Sequence, residues 1–168
     1  MKICFHGAES TGKSTLASKL AAEFDCPLVP EFGRIHAESE GIRFTVDTLK
    51  SIAAEQDRLI GVAAQGASPL VLIDTDPLMT AAWAHMLFGR IPDELLAYPK
   101  ADLYLLFAPD VPWEYDGTRF FGLHEARAEF AEVAERLLKE AGVPYRSISG
   151  DWKAREFGAR TAISEALG

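Results

Sequence analysis

Gly7-Ala8-Glu9-Ser10-Thr11-Gly12-Lys13-Ser14 is the stretch that decides the fold. It fits G-x-x-x-x-G-K-[ST], which background composition produces in about one chain in 200 of this length. Before it runs Lys2-Ile3-Cys4-Phe5-His6, short and mostly apolar, which reads as a buried strand ending at Gly7. After it, Leu16, Leu20 and Phe24 form a helical stripe over Lys13 to Phe24. Strand, glycine-rich turn and helix form the setting in which the pattern cradles phosphate. The glycines let backbone N–H groups turn inward, and the helix N-terminus adds its positive end. Gly7, Ser10, Thr11 and Gly12 make up this cradle. Lys13 is placed to reach β- and γ-phosphates, and Ser14 to offer a hydroxyl to Mg²⁺. Thr15 either contacts an α-phosphate or caps the helix. Glu9 either is solvated or faces whatever accepts the phosphoryl group.

Outward from the loop, Gly and Pro punctuate the chain regularly. Pro27-Leu28-Val29-Pro30 reads as a second strand with prolines at its edges. Phe32 to Glu40 reads as a short helix stopped at Gly41, and Thr45 to Ala64 as a longer one with Thr45 or Thr48 as its N-cap. Pro69-Leu70-Val71-Leu72-Ile73-Asp74 carries four consecutive apolar residues, as expected of a central parallel strand covered on both faces. Pro77 takes a helix N1 position ahead of Leu78 to Phe88. Residues 101–107 are the next strand and 109–122 a loop. Glu125 to Ala141 is an amphipathic helix ended by Gly142, Pro144 to Ile148 a last strand, and Asp151 to Leu167 a closing helix. Alternation of this kind makes an α/β protein of the P-loop NTPase class, a parallel sheet flanked by helices on both faces. Residues 1–168 form a single domain, with a lid segment around 113–127.

Composition narrows the function. The chain has 168 residues, 48% of them hydrophobic and 25% charged, which is ordinary for one globular domain and excludes general disorder. A net charge of -8 argues against non-specific nucleic-acid binding, which needs a basic stripe. No apolar run approaches the roughly 20 residues of a membrane span. The N-terminus is too short of apolar residues before Gly7 to be a signal peptide. Two cysteines make neither a disulfide framework nor a four-cysteine zinc site, so a reducing cytoplasm is expected. Cys4 and Cys26 read as apolar fillers. The four histidines show no metal spacing.

Several charged residues stand where chemistry would need them. Asp74 follows Leu70-Val71-Leu72-Ile73, the pattern of a Walker B aspartate that holds Mg²⁺ directly or through water. Ligands of open parallel sheets bind outside such strand ends. Asp76 points the same way as Asp74 if the backbone stays extended, and also fits an N-cap for the helix opened by Pro77. Glu31 follows Val29-Pro30 and could take a proton from a hydroxyl being phosphorylated, with Arg34 one helical turn on; the alternative is a surface ion pair. Trp113-Glu114-Tyr115-Asp116-Gly117-Thr118-Arg119-Phe120-Phe121-Gly122 is aromatic, charged and glycine-flanked. Phosphoryl transfer needs positive charge as the γ-phosphate detaches. Arg119 is the first candidate to supply it, unless it pairs with Asp116. Arg127 is the second, unless it lies on a solvated helix face.

The ordered set Gly7 to Ser14, Glu31-Phe32-Gly33-Arg34, Ile73-Asp74-Thr75-Asp76 and Asp116-Gly117-Thr118-Arg119 resembles the ribosylnicotinamide kinase domain of the bifunctional NadR-type proteins of NAD biosynthesis. The likeness covers nearly the whole chain. It implies ATP-dependent phosphorylation of the ribose 5′-hydroxyl of nicotinamide riboside. On that likeness Lys13, Ser14 and Asp74 handle Mg·ATP, Glu31 and Asp76 face the nucleoside, and Arg119 belongs to the lid. Relatives of this kind carry an adenylyltransferase domain ahead of the kinase; with the phosphate loop at Gly7, this chain is expected to lack that activity. They also place aromatic rings around the nicotinamide, where this sequence has Pro30 and Leu59. Phe32, Trp83 or Trp113 could supply a ring instead. Another nucleoside is the next acceptor to consider, and a regulatory or switch ATPase is the competing class. No pattern in the sequence sets the oligomeric state or the choice of ATP over GTP.

Overall fold

The computed structural model describes residues 1–41, 43–114 and 123–168. Five strands pair in the order β2-β3-β1-β4-β5, and every pairing is parallel. They are β1 (Lys2–His6), β2 (Leu28–Val29), β3 (Val71–Asp74), β4 (Leu103–Phe107) and β5 (Tyr145–Ile148). The helices are α1 (Lys13–Glu23), α2 (Phe32–Glu40), α3 (Val46–Ala64), α4 (Pro77–Phe88), α5 (Asp93–Leu96), α6 (His124–Ala141) and α7 (Trp152–Leu167). Each long element lies within two or three residues of its expected bounds. The four-residue α5 falls below the length at which apolar periodicity is visible, and was not expected.

Period-two alternation sends successive strand residues to opposite faces. Ile3 and Phe5 of β1 with Leu105 and Phe107 of β4 pack on α1 and α7 through Leu16, Leu20, Ala159 and Ile163. Cys4 of β1 and Tyr104 and Leu106 of β4 pack on α3, α4 and α6 through Ile52, Leu78 and Phe130. Helices therefore cover both faces, which is why β1 and β3 read as nearly continuous apolar runs. Among the described residues no helix is long and apolar enough to cross a membrane.

Parallel pairing puts all strand C-termini at one edge. Register aligns Phe5 with Asp74 and Val29 with Ile73. The residues that leave β1, β2 and β3 (Gly7, Glu31 and Thr75) thus emerge side by side. The chain turns to one side of β1 to build β3 and β2, and to the other to build β4 and β5. The phosphate-binding stretch stands at that switch point.

Candidate active site

The loop after β1 alternates its backbone through left-handed conformations, with φ of 126° at Gly7, 57° at Ser10 and 85° at Gly12. Such alternation forms a concave nest of N–H groups. Both flanking glycines are favoured by φ, and Gly7 is required by space as well. A Cβ on Gly7 would stand 2.6 Å from the Phe107 carbonyl oxygen, and one on Gly12 2.3 Å from the Trp152 ring. Gly12 is the N-cap of α1 and no side chain caps that helix, so its first N–H groups remain for a ligand. Thr15 is exposed in the first turn and does not serve as the cap. Lys13 is buried, and its Nζ donates to the Ala8 carbonyl at 2.7 Å. The Thr11 hydroxyl donates to the same oxygen at 2.9 Å.

Two arginines hold this loop from behind. Arg155 of α7, fully buried, donates to the carbonyls of Thr11 at 3.1 Å, Ala108 at 2.9 Å and Gly150 at 2.8 Å, and pairs with Asp110. Arg127 of α6, also buried, donates to Val111 at 2.7 Å, Ser10 at 3.1 Å and Glu9 at 3.4 Å, all carbonyl oxygens. Arg127 therefore neither sits on a solvated face nor stands in the cavity. Its guanidinium fastens the loop to α6. Arg119 lies outside the described residues, as does most of the expected lid.

A cavity of about 170 Å³ opens in front of the loop. Glu9, Ser10, Thr11, Gly12, Lys13, Ser14 and Thr15 line one end. Glu31 and Arg34 come from the β2–α2 junction, and Thr75 from the end of β3. The lining also has an apolar part: Leu49, Ile52, Met79 and the rings of Phe44, Trp83 and Phe130. Trp83 meets Phe130 edge-on at 5.3 Å and Phe44 at 6.3 Å between ring centroids. Of the three rings anticipated as replacements, Trp83 lines the cavity; Phe32 packs in the core beside α3. Phe44 and Phe130 were not anticipated. They lie 86 residues apart, and nothing local signals that they meet.

The carboxylates divide sharply. Asp74 is buried, and its Oδ1 has no hydrogen-bond partner. Burial raises its pKa; the nearby Ser14 hydroxyl and the Lys13 and Arg34 charges oppose that rise. Glu31 is the N-cap of α2 by position, yet its side chain makes no capping bond and is left to face the cavity. Burial, then the Asp74 charge, push Glu31 up to about 7 against the pull of Lys13 and Arg34. Glu9 lines the cavity and adds to the same rise, so its carboxylate belongs to this charged group.

Asp76 goes elsewhere. Extended backbone would aim it alongside Asp74, but Thr75 has φ 68° and breaks the alternation. Asp76 instead caps α4, accepting the Leu78 N–H at 3.1 Å and the Tyr104 hydroxyl at 2.5 Å. Both its oxygens are engaged and it is absent from the cavity wall. The alternative reading of Asp76 as an N-cap describes its placement.

A family described as the AAA domain matches residues 2–155. The chain belongs to that family. Within it, the sequence is similar to the trifunctional NAD biosynthesis/regulator protein NadR of Escherichia coli (strain K12), at 29% identity over 174 residues. That match covers 99% of this AAA-domain chain and 42% of the relative, so the chain spans less than half the relative's length. A crystal structure of NadR in complex with NR shares the fold, with a TM-score of 0.80 at 23% identity over 98% of this chain and 48% of that one. NadR in complex with NAD and AMP-PNP gives 0.76 at 22% over the same shares. Thymidylate kinase from Ehrlichia chaffeensis gives 0.71 at 16% identity over 98% of each chain. The fold is that of the P-loop nucleoside and nucleotide kinases.

Proposed function

We propose that this chain is an ATP- and Mg²⁺-dependent kinase that phosphorylates the 5′-hydroxyl of nicotinamide riboside, giving nicotinamide mononucleotide. One observation carries the reading: Glu31, uncommitted and raised toward neutrality, shares a cavity with the phosphate loop and with three aromatic rings. A loop that only hydrolysed ATP would need no apolar room beyond Glu31. The likeness to NadR, crystallised with NR and with AMP-PNP, supports the substrate and the nucleotide.

The residues fit Mg·ATP. The N–H nest, Lys13 and the uncapped N-terminus of α1 suit phosphate oxygens. Ser14 and the unpartnered Oδ1 of buried Asp74 suit a hard divalent cation. Mg²⁺ held there would supply positive charge against the negative charge that grows on the transferring phosphoryl group. Lys13 exchanges its bond to the Ala8 carbonyl for a β/γ-phosphate oxygen. Glu31 accepts the proton of the ribose hydroxyl as that oxygen attacks in line; a base with a pKa near 7 is matched to neutral solution. Arg34 stands on the cavity wall within electrostatic reach of Glu31 and Asp74. By its likeness to the family's Asp-Gly-x-Arg stretch, Arg119 would supply late positive charge. Trp83, Phe44 and Phe130 contribute the base-binding rings that Pro30 and Leu59 do not. A cationic pyridinium ring would gain further from their faces.

The test is ATP consumption with Mg²⁺ against a nucleoside panel. Stimulation by nicotinamide riboside above all others is expected. Stimulation by a different nucleoside keeps the kinase and discards this acceptor, and slow turnover indifferent to every nucleoside favours the switch ATPase.

A further inference from the structure

Gln56 of α3 is 2% exposed, and its amide is wholly committed to backbone. Its Oε1 accepts the Phe32 N–H at 2.7 Å. Its Nε2 donates to the Pro30 carbonyl at 3.2 Å and to the Thr75 carbonyl at 3.1 Å. Pro30 and Phe32 flank Glu31, and Thr75 follows Asp74. One side chain thus spans the gap between the strand end that bears Glu31 and the strand end that bears Asp74. Thr75 is the residue most in need of a clamp, since a β-branched residue at φ 68° is held against its own preference. Β2 contributes only two residues to the sheet, so ladder bonds alone hold the Glu31 junction weakly. Leu49, Ile52, Ala53 and Ile60 form the buried stripe of α3, and a hydrophobic residue of the same length at 56 would complete it without making any of these bonds.

We infer that Gln56 is a positioning residue for phosphoryl transfer: it fixes Glu31 relative to Asp74 by joining the backbones of the two neighbouring strand ends that carry them. Gln56 also lines the cavity, and in this role it acts through Glu31. The inference rests on the kinase reading above. Displacement of a base by about 1 Å costs on the order of 100-fold in rate.

The experiment is a double-variant cycle of Gln56→Met and Glu31→Gln, with kcat, both KM values, and AMP-PNP affinity by calorimetry. Gln56→Met should lower kcat about 100-fold in the wild-type background and change it less than about 3-fold in the Glu31→Gln background. The AMP-PNP Kd should stay within about 3-fold throughout, because the phosphate loop is held by Arg127 and Arg155 rather than by Gln56. Should Gln56→Met not fold, Gln56→Glu keeps the acceptor for Phe32 and loses the donors to Pro30 and Thr75; it should show the same dependence on Glu31. Equal losses in both backgrounds, a kcat unchanged by either substitution, or nucleotide affinity falling in step with kcat would each overturn the inference. A wild-type chain that phosphorylates no nucleoside overturns the kinase reading first, and this inference with it.

Discussion

Replacing Gly7 or Gly12 with alanine should harm the protein to different degrees, although both residues belong to one motif. At Gly7 the new Cβ meets the Phe107 carbonyl oxygen at 2.6 Å, with the Phe107 nitrogen at 3.2 Å. Those atoms belong to β4, which is paired to β1 and cannot withdraw without opening the sheet. A residue forced to positive φ loses about 1–2 kcal/mol, and overpacking of a fixed neighbour adds about 1–3, so Gly7→Ala should cost about 2–5 kcal/mol. For a chain of this size that lowers Tm by about 4–20 °C. At Gly12 the Cβ meets the Trp152 ring at 2.3 Å. Trp152 is 53% exposed and can swing outward. Gly12→Ala should therefore cost only the positive-φ component, about 1–2 kcal/mol, or about 2–8 °C. Both variants should lose AMP-PNP affinity, since both disturb the nest. Calorimetric melting of the two proteins without nucleotide is the assay. Equal Tm values, or a Gly12→Ala protein the less stable of the two, would refute the assignment of the Gly7 contact to rigid backbone.

Glu31 holds its proton more tightly in the folded chain, with a pKa of about 7 against an ordinary 4.5. Its favourable contribution is thus full below pH 4.5 and lost as pH rises through 7; without nucleotide or metal, Glu31→Gln should raise Tm at pH 8 and leave it unchanged at pH 4, by calorimetry. His6 runs the other way: burial depresses it from 6.5 to about 3, so stability is full above pH 6.5 and falls as acid forces a charge into the core. His6→Gln should flatten that acid limb in pH-dependent urea melts. Trp83→Ala should raise the KM for nicotinamide riboside about 10- to 100-fold while the KM for ATP stays put, in steady-state assays, since an aromatic contact is worth roughly 1–3 kcal/mol. Arg155→Met strands several buried carbonyls; it should lower both Tm and nucleotide affinity, each measured by calorimetry.

Much of this was legible along the chain because local rules set it. Thr45 caps α3, accepting the Thr48 N–H, where its sequence position said it would. Gly41 and Gly142 end their helices at positive φ. The phosphate loop, Asp74 and Glu31 were readable because strand ends in a parallel sheet converge, whatever the rest of the chain does. What escaped was set by contacts distant in sequence. Arg127 reads along the chain as a candidate to meet the γ-phosphate and Arg155 as an ordinary charge on a helix face, and only the assembled fold shows the carbonyl oxygens behind the loop that both of them bind. Gln56 sits at an apolar position of the α3 stripe, and a polar residue there was itself a signal that a buried partner existed. Asp76 was undecided between two roles until the φ of Thr75 turned it away from Asp74. The ring wall joins α4, α6 and the approach to α3, which no periodicity connects.

The central claim is transfer of the γ-phosphoryl group to a nucleoside hydroxyl. ³¹P NMR of the wild-type chain with Mg·ATP and nicotinamide riboside tests it directly. The account predicts ADP together with a phosphomonoester coupled to the two 5′ protons of the ribose, at one equivalent per ATP consumed. Inorganic phosphate appearing in its place, with the riboside unchanged, would contradict it.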